Sequence, residues 1–438
     1  MNTKDPVSPK MEQIATNARR LPKVSFTSLS YHVNLEWIYE AYKSTNKNKA
    51  PGIDGVTAEK YAENLNENLE QLLNKYKSGR YKAPPVKRVY IPKENNEKRP
   101  LGITTFEDKI LQLANKWIIE PVYEVDFYDC SYGFRPNRSQ HKAIEAVWKG
   151  LMGMGGAWII DLDIRKYFDS IKWKHLSDFL NLRVRDGVII RTIGKWMNAG
   201  IMEEGKNIQY TKDGVQQGGV ISPLLSNIYL HEILDKWFHE VVIPRLKGRA
   251  FEVRFADDAL LCFQNKEDAE KVLAVLPKRL GKYGLELNVE KTKLVQFKRP
   301  GKDDDNYKRG KRPGTFNFLG FTHYWSKSRR GFPVIKRKTN KKKFTKSVRN
   351  TAEWIKKNRH LKLKEQQKAL VTKIRGHYNY YGICGNIRSL SNFLEGVKRA
   401  WYKWLKRRSN RRDLNWEKLN RILKYYKLPT PYIKHRYT

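Results

Sequence analysis

Residues 253–263 read VRFADDALLCF. Two adjacent carboxylates, Asp257 and Asp258, stand between apolar runs suited to burial. Burying one unpaired charge costs several kcal/mol, and two side by side cost more. FEVRF before the pair and ALLCF after it are strand-forming text. The pair is therefore predicted at the tight turn of a β-hairpin.

A second acidic stretch, AWIIDLDIRKYFDSI, occupies 157–171. Asp161 and Asp163 are two apart, so a strand puts both on one face. Ile160, Leu162 and Ile164 then face a core. If this strand neighbours the hairpin, three carboxylates converge and repel one another. Divalent metal relieves that repulsion. Carboxylate oxygens suit Mg²⁺, which keeps positions open for phosphate oxygens. Two such ions clamp the attacking and leaving oxygens of an in-line displacement.

The charge points to a polyanionic partner. The chain has 438 residues, a formal net charge of +42 and a pI of about 10.0. Such an excess repels itself in a compact state and is matched best by nucleic acid, less well by an anionic membrane surface. Residues 331–438 hold 31 basic and 5 acidic side chains, so about a quarter of the chain carries more than half the excess. KRKTNKKKFTKSVR (336–349), HYNYYG (377–382) and RAWYKWLKRR (399–408) interleave charge with aromatics, which suits backbone tracking and base stacking. No apolar run is long enough to span a membrane, and the N-terminus lacks a signal-peptide core. A cytoplasmic protein is expected, nucleoid-associated when acting on DNA. Cys130, Cys262 and Cys384 are scattered, with no CxxC and no HExxH, so neither a zinc site nor a disulfide framework is expected.

The first 330 residues read as mixed α and β. Helical periodicity marks 34–44, 59–79, 109–125 (with a proline interruption), 223–242 and 268–284. Strand text marks 86–93, 157–164, 251–263, 285–297 and 316–325. The divisions expected are a tail at 1–34, an α+β region at 35–330, a helical region at 331–425 and a short tail at 426–438.

At this point several motifs in order resemble the reverse transcriptases of bacterial group II introns. FADD resembles their hairpin motif and AWIIDLDIRKYFDSI their first acidic motif. QQGGVISPLLSNIYL (216–230), SYGFRPNRSQHKAI (131–144), RPLGI (99–103), KNKAPGIDGVT (47–57), LNVEKTK (287–293) and FNFLGF (316–321) follow the family pattern. The likeness covers about 35–325 strongly. IRGHYNYYG (374–382) extends it into a thumb, or maturase, region.

The resemblance implies an α+β right-hand polymerase, with fingers and a palm sheet backed by helices, followed by a helical thumb/maturase domain. It implies Asp163, Asp257 and Asp258 as ligands of two Mg²⁺, with Asp161 secondary. Phe168, five residues after Asp163, matches the aromatic that excludes the ribonucleotide 2′-hydroxyl. Lys93 and Arg99 match the basic pair on the triphosphate of a deoxynucleoside triphosphate, a point charge and a fork. Gln217, Gly218 and Gly219 bring backbone close to nucleotide and template. Lys291 matches the lysine that protonates the leaving pyrophosphate. Phe318, Leu319 and Gly320 form the primer-gripping hairpin. Arg135, Pro136 and Asn137 are either template contacts or scaffold. Gln216 replaces a common proline, and Phe255 the commoner tyrosine.

The function implied is RNA-directed DNA synthesis by a protein that binds a group II intron RNA, assists its splicing and copies it into DNA during retrohoming. RNA and a DNA primer or target are the partners. No Cys/His-rich HNH endonuclease segment is found, so priming from nascent strands at replication forks is expected. The alternatives are a domesticated polymerase in DNA repair or phage defence without a cognate intron, and a non-catalytic RNA-binding splicing factor. The intact acidic set argues against the last.

Overall fold

The computed structural model describes residues 7–92, 98–203, 207–210, 213–300, 314–408 and 414–436. Its strands, in chain order, are β1 (Val86–Pro92), β2 (Lys98–Ile103), β3 (Gly156–Leu162), β4 (Ile164–Arg165), β5 (Ile201–Met202) and β6 (Ala250–Phe255). They continue with β7 (Asp258–Phe263), β8 (Glu286–Leu287), β9 (Lys293–Lys298), β10 (Phe316–Phe318), β11 (Phe321–Lys327) and β12 (Pro333–Thr339). Four sheets result, ordered β2-β1-β5, β6-β7-β3-β9, β4-β8 and β10-β11-β12.

The chain divides into two units, one of residues 1–143 and 160–293, the other of 144–159 and 294–438, with the division falling inside β3. The first unit is built on the helix Phe106–Asp126, capped by Thr105, whose hydroxyl accepts from the Asp108 amide. Most of this helix is buried, and Pro121 lies inside it without ending it. Asp108 takes hydrogen bonds from the Tyr81 hydroxyl and from Trp196 Nε1 (3.0 Å). Burial pushes its carboxyl up to about 7.

The segment 1–34, expected as a tail, is folded from Val7 onward. Val7–Arg20 is a helix burying Val7, Ile14 and Ala18. Those positions are 7 and 4 apart, one helical face. Arg183 fixes its end by donating to the carbonyls of Ala18 (3.1 Å), Leu21 (2.8 Å) and Val24 (3.0 Å), while pairing with Asp126 at 2.8 Å.

Two strand expectations divide further in the structure. The text at 285–297 is not one strand: β8 and β9 are separated by a turn in which the Lys291 and Thr292 amides donate to the Asn288 carbonyl. The text at 316–325 folds back at Leu319 and Gly320, both at positive φ (46° and 80°), into the hairpin β10–β11. Positive φ at both central residues is the type I′ pattern that matches strand twist.

Between 331 and the C-terminus the helices begin at Lys341 rather than at 331, because Pro333–Thr339 pairs with β11. Lys341–Lys357, Leu363–Tyr381 and Ile387–Lys406 enclose a core of Ile355, Leu370, Ile374, Tyr378, Leu390, Phe393, Val397 and Trp401. Some aromatics of the basic text are thus core: Trp401 donates its Nε1 to Gln366 Oε1 (2.9 Å) inside it. Of the stretch 426–438, expected as a tail, the described residues to Arg436 return to the core: the Lys434 and His435 amides both donate to the Gly382 carbonyl at 2.8 Å.

Candidate active site

The 253–263 hairpin forms as its text requires. β6 and β7 pair antiparallel with Phe255 opposite Asp258, leaving Ala256 and Asp257 at the turn. Ala256 sits at φ 58°, a left-handed conformation unfavourable for a side chain with a Cβ. Buried contacts hold it there. Arg254, fully buried, forks onto Asp235 (Nε 2.7 Å, Nη2 2.6 Å) and donates its Nη1 to Asn227 Oδ1 and the Ala256 carbonyl, both at 3.0 Å. Asn227 in turn donates to the Gly133 carbonyl at 2.7 Å. A Cβ on Gly133 would overlap the Ala256 amide. SYGF therefore braces the turn: the Arg254 amide donates to the Cys130 carbonyl, and the Tyr132 amide to the Arg254 carbonyl, each at 2.8 Å. Burial pushes the Asp235 carboxyl up, but Arg254 and His231 outweigh it and hold Asp235 below the usual carboxylate range.

Asp163 lies between β3 and β4, one residue beyond the strand expected to carry it. The alternation holds: Ile160, Leu162 and Ile164 are buried, and Asp161 and Asp163 are half-buried. The turn after β8 fixes the Asp163 backbone. The Asn288 amide donates to its carbonyl (2.9 Å), and its own amide donates to Thr292 Oγ1 (3.3 Å).

β7 and β3 are neighbours, which brings Asp163 within electrostatic reach of Asp257. Burial, then the charge of Asp163, pushes the Asp161 carboxyl up to about 6. Burial also raises Asp257, with Asp163 adding to the shift and Arg99 and Arg254 opposing it. Asp258 is exposed at the head of β7. The exposed Lys291 ammonium lies 3.9 Å from Asp163 Oδ2. Asp163 and Asp257, each within reach of the other's charge, offer the oxygen donors that hard divalent cations such as Mg²⁺ take.

Arg99 lies on β2, and the Gln217–Gly219 loop packs against that strand. Arg99 pairs across the hairpin with Ile91 and donates its Nε to Gln217 Oε1 at 3.3 Å. Lys93 lies outside the described residues. The close approach at Gly218 is internal: it sits at φ 121°, and a Cβ there would overlap the Gly102 carbonyl. The Gly102 amide donates to the Gln217 carbonyl at 2.6 Å, so QGG is laid directly on β2. Gln216 anchors this loop through Nε2 to the Trp196 carbonyl at 3.0 Å.

Phe168 and Tyr167 are both buried. The Tyr167 hydroxyl is tied to the Ser226 carbonyl at 2.6 Å. The Phe168 carbonyl accepts from the Val215 amide at 2.7 Å. Of the two roles open to Arg135, the structure supports scaffold. It is buried, pairs with Glu124 at 3.1 Å, and donates to the Tyr128 and Ser131 carbonyls at 2.7 and 2.9 Å.

Sequence reasoning missed the Arg254–Asp235–Asn227 support. Its one local signal is an arginine at a strand position whose neighbours Val253 and Phe255 are apolar.

Residues 91–323 match the reverse transcriptase (RNA-dependent DNA polymerase) family. The Escherichia coli protein YkfC is 34% identical over 328 residues, 66% of this chain and 84% of that protein. The group II intron-encoded protein LtrA of Lactococcus lactis is 33% identical over 67% of this chain, which spans only half of LtrA's length. The mitochondrial nuclear intron maturase 2 of Arabidopsis thaliana is 27% identical over 178 residues, 32% of this chain and 24% of that protein. Among the described residues no helix is long and apolar enough to cross a membrane. An α+β reverse transcriptase domain, followed by helices and matched to intron-encoded proteins, places this chain in the group II intron reverse transcriptase/maturase family.

Proposed function

We propose that the chain is an RNA-directed DNA polymerase that binds a group II intron RNA, assists its splicing and copies it into DNA. The observation that supports the catalytic part is that Asp163, just past the end of β3, and Asp257, at the turn before the neighbouring β7, lie within mutual electrostatic reach, with Arg99 also acting on Asp257. Asp163, Asp257 and Asp258 would hold two Mg²⁺. When bound, the ions neutralise phosphate charge and increase the acidity of the primer hydroxyl.

The chain's own residues do the positioning. Arg99, steadied by Gln217, presents a guanidinium fork to the triphosphate, and Lys93 would add a point charge. Lys291, close to Asp163, would supply the proton to the leaving pyrophosphate. Phe168 would close the space a 2′-hydroxyl needs. The braced hairpin fixes Asp257 before substrate arrives, so little reorganisation remains at the moment of reaction. The basic second unit, with Leu319 and Gly320 at its hairpin turn, would follow the primer–template backbone.

The intron part rests on the relatives named for introns and on the +26 charge of residues 331–438. Two measurements test the whole. Purified protein with an RNA template, a DNA primer, deoxynucleoside triphosphates and Mg²⁺ should extend the primer to the template end; binding without extension would overturn the polymerase reading. RNA co-purified from the native host should be one species spanning the coding region and folding as a ribozyme. A diffuse mixture with extension intact would replace the intron partner with a role in repair or defence.

A further inference from the structure

A second cluster of metal-ligating side chains lies behind the hairpin and takes no part in the reaction above. Cys130 comes from the SYGF approach, His239 from the helical stretch Trp237–Val242, and Glu252 from β6. One donor atom from each lies within 4.8 Å of the other two. Cys130 and Glu252 are buried and His239 half-buried.

Glu252 is the group that needs explaining. Its side chain is 0% exposed, and neither carboxylate oxygen has a partner at ordinary hydrogen-bond distance, although the Cys130 thiol and the Asp235 carboxylate lie near enough to act on it. His239 Nε2, 3.7 Å from Glu252 Oε2, is also buried without one. Arg254 does not satisfy Glu252, because its guanidinium is committed to Asp235, Asn227 and the Ala256 carbonyl. Burial, then the charge of Asp235, pushes the Glu252 carboxyl well above its ordinary range. An ionised carboxylate here needs a cation; otherwise Glu252 keeps its proton.

The donors decide which cation. One thiol, one imidazole and one carboxylate form a set that zinc takes and that the all-oxygen preference of Mg²⁺ does not. Zinc bonds of about 2.0–2.3 Å put tetrahedral donors about 3.5 Å apart, so the three atoms need only a small closure. Thiolate and carboxylate together balance a dication. We propose that Cys130, His239 and Glu252 bind one Zn²⁺-class ion, with water at the fourth position, as a staple behind the catalytic hairpin. Binding releases the Cys130 thiol proton, and that of Glu252 if present, to solvent. The staple joins three chain segments five residues ahead of Asp257, where the Cys130 carbonyl already accepts the Arg254 amide. Its three donors position the hairpin and are not catalytic residues. Spacing along the chain hides the site, since its donors are 109 and 13 residues apart.

The test is metal content and spectroscopy on the full chain. Protein purified without chelator should carry about one zinc per chain by inductively coupled plasma mass spectrometry. Co²⁺ substitution should give a thiolate-to-metal charge-transfer band in the near ultraviolet. Cys130→Ser should abolish the band, and Glu252→Gln should cut zinc retention at least tenfold. If those variants fail to fold, the wild-type Co²⁺ spectrum and its bleaching by a chelator decide alone. Folded wild type with no bound zinc and no charge-transfer band on adding Co²⁺ overturns the proposal and leaves Glu252 as a protonated core carboxyl.

Discussion

Arg254→Met separates the two things the buried guanidinium does. The substitution leaves Asp235, 0% exposed, without its bidentate partner. Removing one member of a buried ion pair costs about 3–5 kcal/mol. Domain stability is about 5–15 kcal/mol in all, so the unit carrying the hairpin should lose roughly a fifth or more of its stability. The shift is read as a lower denaturant midpoint, followed by near-ultraviolet circular dichroism. The double variant Arg254→Met/Asp235→Leu removes both charges and should recover most of the midpoint, because an apolar pair of similar volume is often neutral or better. Activity should not recover. The Ala256 carbonyl still lacks the donor that holds its left-handed backbone, so Asp257 is no longer pinned. Primer extension by the double variant should stay at least tenfold below wild type, equivalent to about 1.4 kcal/mol of lost transition-state stabilisation. A single variant with the wild-type midpoint, or a double variant with full extension, would refute this reasoning.

Three further outcomes follow from the same geometry. Phe168→Ala should raise ribonucleotide incorporation at least tenfold in single-nucleotide extension; unchanged discrimination would move the gate elsewhere, Tyr167 being the next candidate. Gly218→Ala forces a Cβ against the Gly102 carbonyl at φ 121°, which costs about 1–3 kcal/mol or more; thermal unfolding should show that loss together with weaker nucleotide binding. His323 is buried with its pKa lowered to about 3 by burial and by Arg337 opposite it. The unfolded imidazole titrates near 6.5 and the folded one near 3, so the unfolded state binds the proton first as pH falls. His323 should therefore lower the stability of the second unit by about 2 kcal/mol between pH 7 and 5, beside a similar share from His377, and His323→Asn should remove its share of that slope in unfolding curves at the two pH values.

The parts of the fold and site legible in the sequence are those governed by local patterning. The period-two alternation from Ile160 to Ile164 and the apolar runs around Asp257 each follow from one strand's own faces. What the text hid depends on partners far along the chain. Arg135 reads equally as a template contact or as scaffold until Glu124 and two carbonyls take up its guanidinium. Gly218 reads as a nucleotide contact until β2 occupies the space. The helix at 7–20 has few apolar positions, and its anchor, Arg183, is 163 residues beyond its last residue. β8 and β9 read as one strand because the turn between them carries no glycine or proline.

Primer extension by Asp257→Ala, measured beside its affinity for the same RNA template, tests the catalytic assignment most directly. Arg254 holds the backbone at Ala256 and makes no hydrogen bond to the Asp257 side chain, so the variant should fold and bind RNA as wild type does. Extension should vanish. Full-length product from this variant would contradict the assignment of Asp257 to the metal centre.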